Sequence, residues 1–164
     1  MLDTLPTPDT YTPYGIAKAA PAPGTAVAGR EWELYITSST PDTDLEGERV
    51  QQEALKMAAP YYLAKGRLTF EHITNETRLD PSMYVGEPIE VKFPSDGRTL
   101  ERGWLYQSPY KPKAREVWGI LESGGSLYAS IGGMRLDQGG KKTIDGVPTI
   151  TSLLWTHTAL TPIQ

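Results

Sequence analysis

Hydrophobic and polar residues alternate over several short stretches of the chain, and this alternation predicts β-strands. In the first stretch, Glu31–Ser39, the side chains of Trp32, Leu34 and Ile36 share one face. Four later stretches predict strands in the same way, namely 67–74, 87–94, 98–108 and 126–136. A last strand is predicted at 149–162, after a glycine- and lysine-rich loop at 137–148.

Two other stretches carry apolar residues at helical spacing and predict helices. In the stronger one, Lys111–Gly125, Pro112 suits the first turn and a glycine pair can end the helix. Its apolar stripe consists of Ala114, Val117, Trp118 and Leu121. The second stretch is Glu48–Ala59, which Pro60 should end or kink.

Short strands at close intervals with two or three helices predict an α+β fold. A mostly antiparallel β-barrel or a strongly curved sheet is favoured over a doubly wound parallel sheet. A length of 164 residues suits one domain. Residues 1–29 mix Pro, Thr, Ala and Gly without periodicity, which predicts a flexible N-terminal arm or leader before a folded domain at 30–164.

Composition excludes several functions. The net charge is −4 and no basic run is present, which argues against binding to nucleic acid. The absence of cysteine rules out disulfides, thiolate nucleophiles and Cys-ligated zinc. No phosphate-binding glycine motif or metal-ligand spacing predicts a cofactor or a metal, and no apolar run is long enough to span a bilayer.

Residues for nucleophilic catalysis are nevertheless available. A serine nucleophile needs a base, a group that orients the base, and amide donors for the oxyanion. Ser130 is predicted on the strand face opposite to that of its apolar neighbours, and Gly132 and Gly133 are predicted to turn the chain sharply and present amides. The histidines His72 and His157 could supply the base and its partner.

Each of these residues, taken singly, has a plainer interpretation. Ser130 could be an ordinary strand serine, and His72 a half-buried residue bonded to the main chain. His157 is predicted to share a face with Trp155 and Ala159, as a core histidine would. Residue types alone therefore leave catalysis and a purely structural role both open.

The order of four segments resembles that of the tailed-phage prohead maturation proteases, which are related in fold to the herpesvirus assemblins. The segments are "TSSTPDTDLEGERV" before a helix, "FEHIT" at a strand end, "LYASIGG" after a helix, and "LLWTHTALTP" in the last strand. The resemblance covers residues 31–162. It implies a herpesvirus-protease-like fold and peptide hydrolysis through an acyl-enzyme, with Ser130 as nucleophile and His72 as general base.

The last strand departs from the usual phage pattern. Many phage members carry an acidic residue two positions before a small residue, whereas this chain has His157 two positions before Ala159. The position resembles the Ser-His-His arrangement of the assemblins, which implies that His157 orients His72. Glu71 and Asp137 are the alternative orienting residues, although neither lies at the family position.

The resemblance also implies the biological setting. Its substrates would be the phage scaffold, or the scaffold-like segment of the major capsid protein, and the enzyme itself. The enzyme would act inside the prohead, assembled in the bacterial cytoplasm, without a cofactor. The herpesvirus relatives dimerise, which leaves a homo-oligomer open. A non-catalytic capsid-assembly or scaffold module with the same fold is the main alternative, and a small binding domain unrelated to capsids is a weaker one.

Overall fold

The chain folds into a β-barrel flanked by helices. A computed structural model describes residues 27–42, 48–74, 77, 80–134 and 140–161, together with the backbone of 16–19. Its strands are β1 (Ile16–Ala19), β2 (Glu33–Ser39), β3 (Arg49–Val50), β4 (Arg67–Phe70), β5 (Tyr84–Lys92), β6 (Thr99–Leu105), β7 (Leu127–Met134), β8 (Lys141–Ile144), β9 (Val147–Ile150) and β10 (Leu154–Thr161). The helices are α1 (Gln52–Lys65), α2 (Pro112–Glu122) and a 3-10 turn at Pro81–Met83.

Within the described residues, seven strands close into a barrel in the order β1-β2-β6-β5-β4-β10-β7, with β7 returning to β1. Neighbouring strands run antiparallel, except that β10 and β4 are parallel. The barrel confirms the predicted α+β class and the mostly antiparallel sheet. It also brings together β4, β10 and β7, the strands nearest the three candidate site residues.

The described residues form two hydrophobic cores, one beneath α2 and one beneath α1. The α2 core is contributed by alternate strand residues and by the predicted helix stripe: Leu34, Ile36, Leu68, Val85, Leu105, Ala114, Val117, Leu121, Leu127, Ala129 and Leu160. The α1 core contains Ala54, Leu55, Ala58, Ala59, Tyr62, Val91, Leu153 and Trp155. Strand β10 contributes Leu160 to the α2 core and Trp155 to the α1 core, and Ile131 of β7 packs against the α1 core.

Helix α1 continues past Pro60, so this proline does not end it. A proline inside a helix removes one backbone hydrogen bond and costs about 3 kcal/mol. Packing offsets that cost, because Tyr62 is fully buried and its ring stacks on Trp155 with centroids 4.0 Å apart. The helix ends at Lys65, and the N–H of the following Gly66 donates to the Tyr62 carbonyl.

The glycine- and lysine-rich segment was wrongly predicted to be a loop throughout. Strands β8 and β9 form a hairpin there, and β9 pairs with β3 to make a second sheet. Asp145 and Gly146 at the turn have φ of 50° and 77°, as a two-residue turn of type I′ requires. The Asp-Gly pair between two short β-prone runs was the signal for this hairpin.

Part of the predicted N-terminal arm also belongs to the barrel. Strand β1 pairs with β2 on one side and β7 on the other. The prediction that residues 1–29 contain no strand was therefore wrong at Ile16–Ala19. These four residues gain hydrogen-bonding partners from both sides of the barrel opening, which local propensity does not reveal. Residues 1–15 and 20–26 lie outside the described residues, and the division at residue 30 stays a prediction.

Candidate active site

The three residues singled out in the sequence lie in contact with one another. Nε2 of His72 is 2.9 Å from Oγ of Ser130, and Nδ1 of His72 is 3.1 Å from Nε2 of His157. The two imidazole rings meet edge to face, with centroids 5.3 Å apart and planes at 72°. We call these three residues the Ser-His-His cluster.

Ser130 is positioned by the alternation of β7. Its neighbours Leu127 and Ala129 point into the α2 core, so the hydroxyl faces outwards, as predicted. Ser130 lies directly opposite Ala159 of β10, and Gly132 lies opposite His157. Opposed residues of an antiparallel pair point to the same face, so Ser130, Gly132 and His157 share one surface of the sheet.

His72 reaches this surface because the chain leaves β4 abruptly. The strand was predicted to run to Thr74, but it ends at Phe70, and Glu71 has a φ of 66°. A left-handed conformation is uncommon for a residue with a β-carbon and is held here by hydrogen bonds. The Glu71 N–H donates to the Leu160 carbonyl, and the Thr69 hydroxyl donates to the Glu71 carbonyl at 2.6 Å. The turn carries His72 towards Ser130.

His157 reaches the same surface through a β-bulge. Trp155 lies opposite Gly133 and His157 lies opposite Gly132, so Thr156 is the extra residue. A bulge reverses the alternation, and Trp155 points into the α1 core while His157 points the other way. The predicted face shared by Trp155 and His157 was therefore wrong, because alternation alone cannot reveal an inserted residue.

Gly132 provides room for the His157 ring. A β-carbon at Gly132 would overlap Nε2, Cε1 and Cδ2 of that ring. The predicted sharp turn at Gly132 and Gly133 is wrong, because both glycines continue β7 in register with β10. The spacing of Ser130 and Gly132, two residues apart on one strand, was the available signal that the glycine belongs to the site face.

The hydrogen bonds assign a direction to each proton in the cluster. The Ile73 N–H can only donate, and it points to Nε2 of His157 at 3.3 Å. That nitrogen therefore carries no proton, and the bond from His72 must be donated by Nδ1–H. Nε2 of His72 can then accept the Ser130 hydroxyl proton, as a general base must.

Burial keeps His157 neutral. The residue is 6% exposed, and burial, followed by the charge of the neighbouring His72, lowers the pKa of His157 from 6.5 to about 4. A neutral imidazole can accept the His72 proton but cannot offer the full negative charge of a carboxylate. The cluster thus has the connectivity of a catalytic triad with a weaker orienting group.

The alternative orienting residues do not take this place. The atom that Glu71 would have to contact, Nδ1 of His72, is occupied by His157. Asp137 lies outside the described residues.

Within the part of the chain that the structure describes, no three His, Asp or Glu side chains gather as metal ligands, and no helix is long and apolar enough to cross a membrane.

A cavity of about 380 Å³ borders the cluster on the His157 side. Its lining combines two cationic side chains with neutral ones: Lys65, Arg67, Ile73, Tyr84, Thr156 and His157. On the other side His72 is exposed, and Ser130 is partly exposed. An incoming group can therefore approach the Ser130 hydroxyl without displacing a core side chain.

A buried carboxylate that the sequence analysis missed is hydrogen-bonded to β10 on the face opposite to His157. Glu101 is fully buried and accepts hydrogen bonds from the Tyr62 hydroxyl at 2.5 Å and the Thr158 hydroxyl at 2.9 Å. The Trp155 indole N–H donates to the Thr158 hydroxyl at 3.2 Å. These bonds fix the residues on both sides of the bulge, and hence the position of His157.

Glu101→Gln should change the dependence of stability on pH. Burial outweighs three hydrogen bonds and raises the pKa of Glu101 from 4.5 to about 6. The folded state therefore binds the Glu101 proton more tightly than the unfolded state does. The stability that this contributes, about 2 kcal/mol, is fully present below pH 4.5 and is lost as the pH rises through about 6. Relative to the wild type, the free energy of unfolding of Glu101→Gln should rise by this amount between pH 4.5 and 7, measured by urea titration.

The contribution of His157 to stability depends on pH in the opposite direction. Its lowered pKa means that the stability it contributes is present above pH 6.5 and lost as the pH falls towards 4. The comparison of Glu101→Gln with the wild type cancels this contribution. Glu116→Gln, at an exposed position, is the matched control, and an unchanged pH dependence in Glu101→Gln would contradict the assignment.

Comparison with known proteins identifies the architecture. No protein-family model matches the chain, and no curated protein matches it in sequence. The solved structure of the bacteriophage T4 capsid assembly protease, gp21, aligns with a TM-score of 0.58 over 89% of this chain and 96% of gp21. The fold is that of this capsid assembly protease. The two sequences are 12% identical, so the likeness to gp21 confirms the predicted fold, and the chemistry rests on the site residues.

Proposed function

We propose that this chain is a serine endopeptidase of phage prohead maturation. The observation that carries the proposal is the continuous line of contacts from Ser130 through His72 to His157, on the fold of a capsid assembly protease. A hydroxyl, a base and an orienting group in this order are the requirements of acyl transfer. Fold alone would be compatible with many functions.

The proposed reaction has two halves, acylation and deacylation, and both use the same three residues. Ser130 Oγ attacks the scissile carbonyl while its proton moves to Nε2 of His72. The imidazolium then donates this proton to the leaving amine, which leaves an acyl-enzyme. A water molecule repeats the sequence and releases Ser130. His157 accepts the Nδ1 hydrogen bond throughout and keeps the His72 ring in the productive tautomer.

The neutral orienting group predicts slow turnover. An orienting carboxylate stabilises the imidazolium that forms during acylation, whereas neutral His157 offers only a dipole and a lone pair. Slow cleavage suits an enzyme enclosed with its substrates, because each copy is cut once. We propose that the substrates are the scaffold protein or the scaffold-like segment of the major capsid protein, and the enzyme itself, inside the prohead.

Co-expression tests this proposal. The chain is produced together with the capsid and scaffold proteins of the phage that encodes it, and each protein is measured by intact mass. We expect the wild type to shorten the scaffold or the capsid subunit and His72→Gln to leave both at full length. Full-length products with the wild type in assembled proheads would favour a non-catalytic assembly module instead.

A further inference from the structure

Thr156 contacts the Ser-His-His cluster from the side opposite to Ser130. It is the extra residue of the β10 bulge, and its hydroxyl oxygen lies 2.9 Å from Nδ1 of His157. The same hydroxyl donates to the Gly132 carbonyl at 3.4 Å. Thr156 thus connects His157 to the strand that carries Ser130.

The direction of these bonds follows from the Ile73 amide. Because the Ile73 N–H donates to Nε2 of His157, the proton of the neutral imidazole is on Nδ1. Nδ1–H must then donate to the Thr156 oxygen, whose own hydrogen is directed to the Gly132 carbonyl. Each donor from the Ser130 hydroxyl to the Thr156 hydroxyl then has an acceptor, and the Ile73 N–H and Nδ1–H of His72 share Nε2 of His157.

We propose that Thr156 is a positioning residue that, together with the Ile73 amide, holds His157 in the Nδ1–H tautomer and thereby sets the orientation of His72. The part of this proposal that concerns catalysis rests on the proposed function, whereas the part that concerns the tautomer does not. In the other tautomer, the Nε2–H of His157 would point at the Ile73 N–H, placing donor against donor, and would donate to Nδ1 of His72. The proton of neutral His72 would then lie on Nε2, where it would prevent this nitrogen from accepting the Ser130 proton.

Two substitutions distinguish a hydrogen-bonding role of the Thr156 hydroxyl from a steric role of its side chain in the bulge. A valine at position 156 keeps the β-branched shape and removes the acceptor, so the buried Nδ1–H of His157 is left without a partner. A serine keeps the acceptor and loses only a methyl group. Shape and hydrogen bonding therefore predict opposite rankings of Thr156→Val and Thr156→Ser.

Nitrogen-15 NMR of the imidazole side chains at pH 7 measures the tautomer directly. The chain contains two histidines, so the spectrum holds two ring systems, and His72→Gln assigns them. At this pH His157 is neutral, because burial lowers its pKa to about 4. We expect Nδ1–H at His157 in the wild type and in Thr156→Ser, and a shift of the proton towards Nε2 in Thr156→Val.

Kinetics on a capsid-derived peptide supply the second readout. We expect kcat of Thr156→Val to fall by roughly 10- to 100-fold with little change in KM, and Thr156→Ser to retain most activity. The exposed Thr143→Val is the matched control for a threonine-to-valine change on a strand. Thr156→Ala replaces the valine variant if that variant does not fold.

The two readouts distinguish failure of this inference from failure of the proposed function. If His157 keeps Nδ1–H in Thr156→Val, or if Thr156→Ser behaves like the valine variant, Thr156 does not select the tautomer and the inference is overturned. If the tautomer responds as expected but the wild type cleaves nothing, the positioning of His157 by Thr156 stands and the proposed protease function fails.

Discussion

Ser130→Ala should abolish cleavage of the capsid-derived substrate and leave the fold intact. The substitution removes the proposed nucleophile, and removal of a serine nucleophile lowers kcat by roughly 10⁴- to 10⁶-fold. The side chain lies on the outer face of β7 and is partly exposed, so alanine leaves no cavity in either core. Rates are measured by mass spectrometry of the cleaved substrate, and folding by thermal unfolding.

Ser126→Ala is the matched control for this substitution. Ser126 is exposed immediately before β7 and lies outside the Ser-His-His cluster. We expect the Ser126→Ala variant to cleave the capsid-derived substrate at the wild-type rate. Cleavage by Ser130→Ala at more than about one hundredth of the wild-type rate would mean that another group is the nucleophile.

Gly132→Ala should abolish the proposed cleavage while leaving Ser130 and His72 unchanged. The added methyl group would overlap the ring of His157, which is itself confined by the Ile73 amide and the Thr156 hydroxyl. The ring must move, and His72 follows because it donates to that ring. A displacement of about 1 Å in a catalytic group can cost roughly 100-fold in rate, so we expect kcat to fall at least that far.

Gly119→Ala separates this local effect from a general effect of adding a methyl group. A β-carbon at Gly119 meets no atom within 4 Å, and the residue lies within α2. Alanine there should raise stability by up to about 1 kcal/mol and leave the rate unchanged. If Gly132→Ala cleaves at the wild-type rate, His157 does not need the position seen in the structure, and its orienting role is wrong.

The alternation of apolar residues predicted much of this fold. Ser130 faces away from the core because Leu127 and Ala129 enter it, and the stripe of α2 packs as its spacing indicates. The antiparallel pairing of β5 with β6 also follows from two alternating segments around a turn. In each case a local pattern determines the structure, because burying the apolar face of a strand or helix drives folding more strongly than any other interaction.

Other features depend on contacts between distant residues and could not be predicted. The bulge at Thr156 reverses the face of His157, and its register is fixed by the buried bond between Thr158 and Glu101. The left-handed turn at Glu71 is held by the Leu160 carbonyl of another strand. Both irregularities place a candidate site residue, as is common for strained or inserted residues at functional sites.

The members of the candidate site came from a resemblance, and their mutual geometry comes from the structure. No spacing rule relates His72, Ser130 and His157, because three separate strands carry or precede them. Gly132 was noticed but wrongly predicted to turn the chain, and its contact with His157 was missed because it crosses from β7 to β10. Thr156 and the Ile73 amide, which determine the proton on each nitrogen, had no signal in the sequence.

Covalent labelling tests most directly whether the Ser-His-His cluster activates Ser130. The purified chain is treated with a fluorophosphonate, which reacts with activated serine hydroxyls, and the adduct is located by peptide mass spectrometry. We predict a single adduct on Ser130 in the wild type and in Gly119→Ala, and its loss in His72→Gln. An unlabelled wild type, or an adduct on Ser130 that persists at the same rate in His72→Gln, would contradict the proposed mechanism.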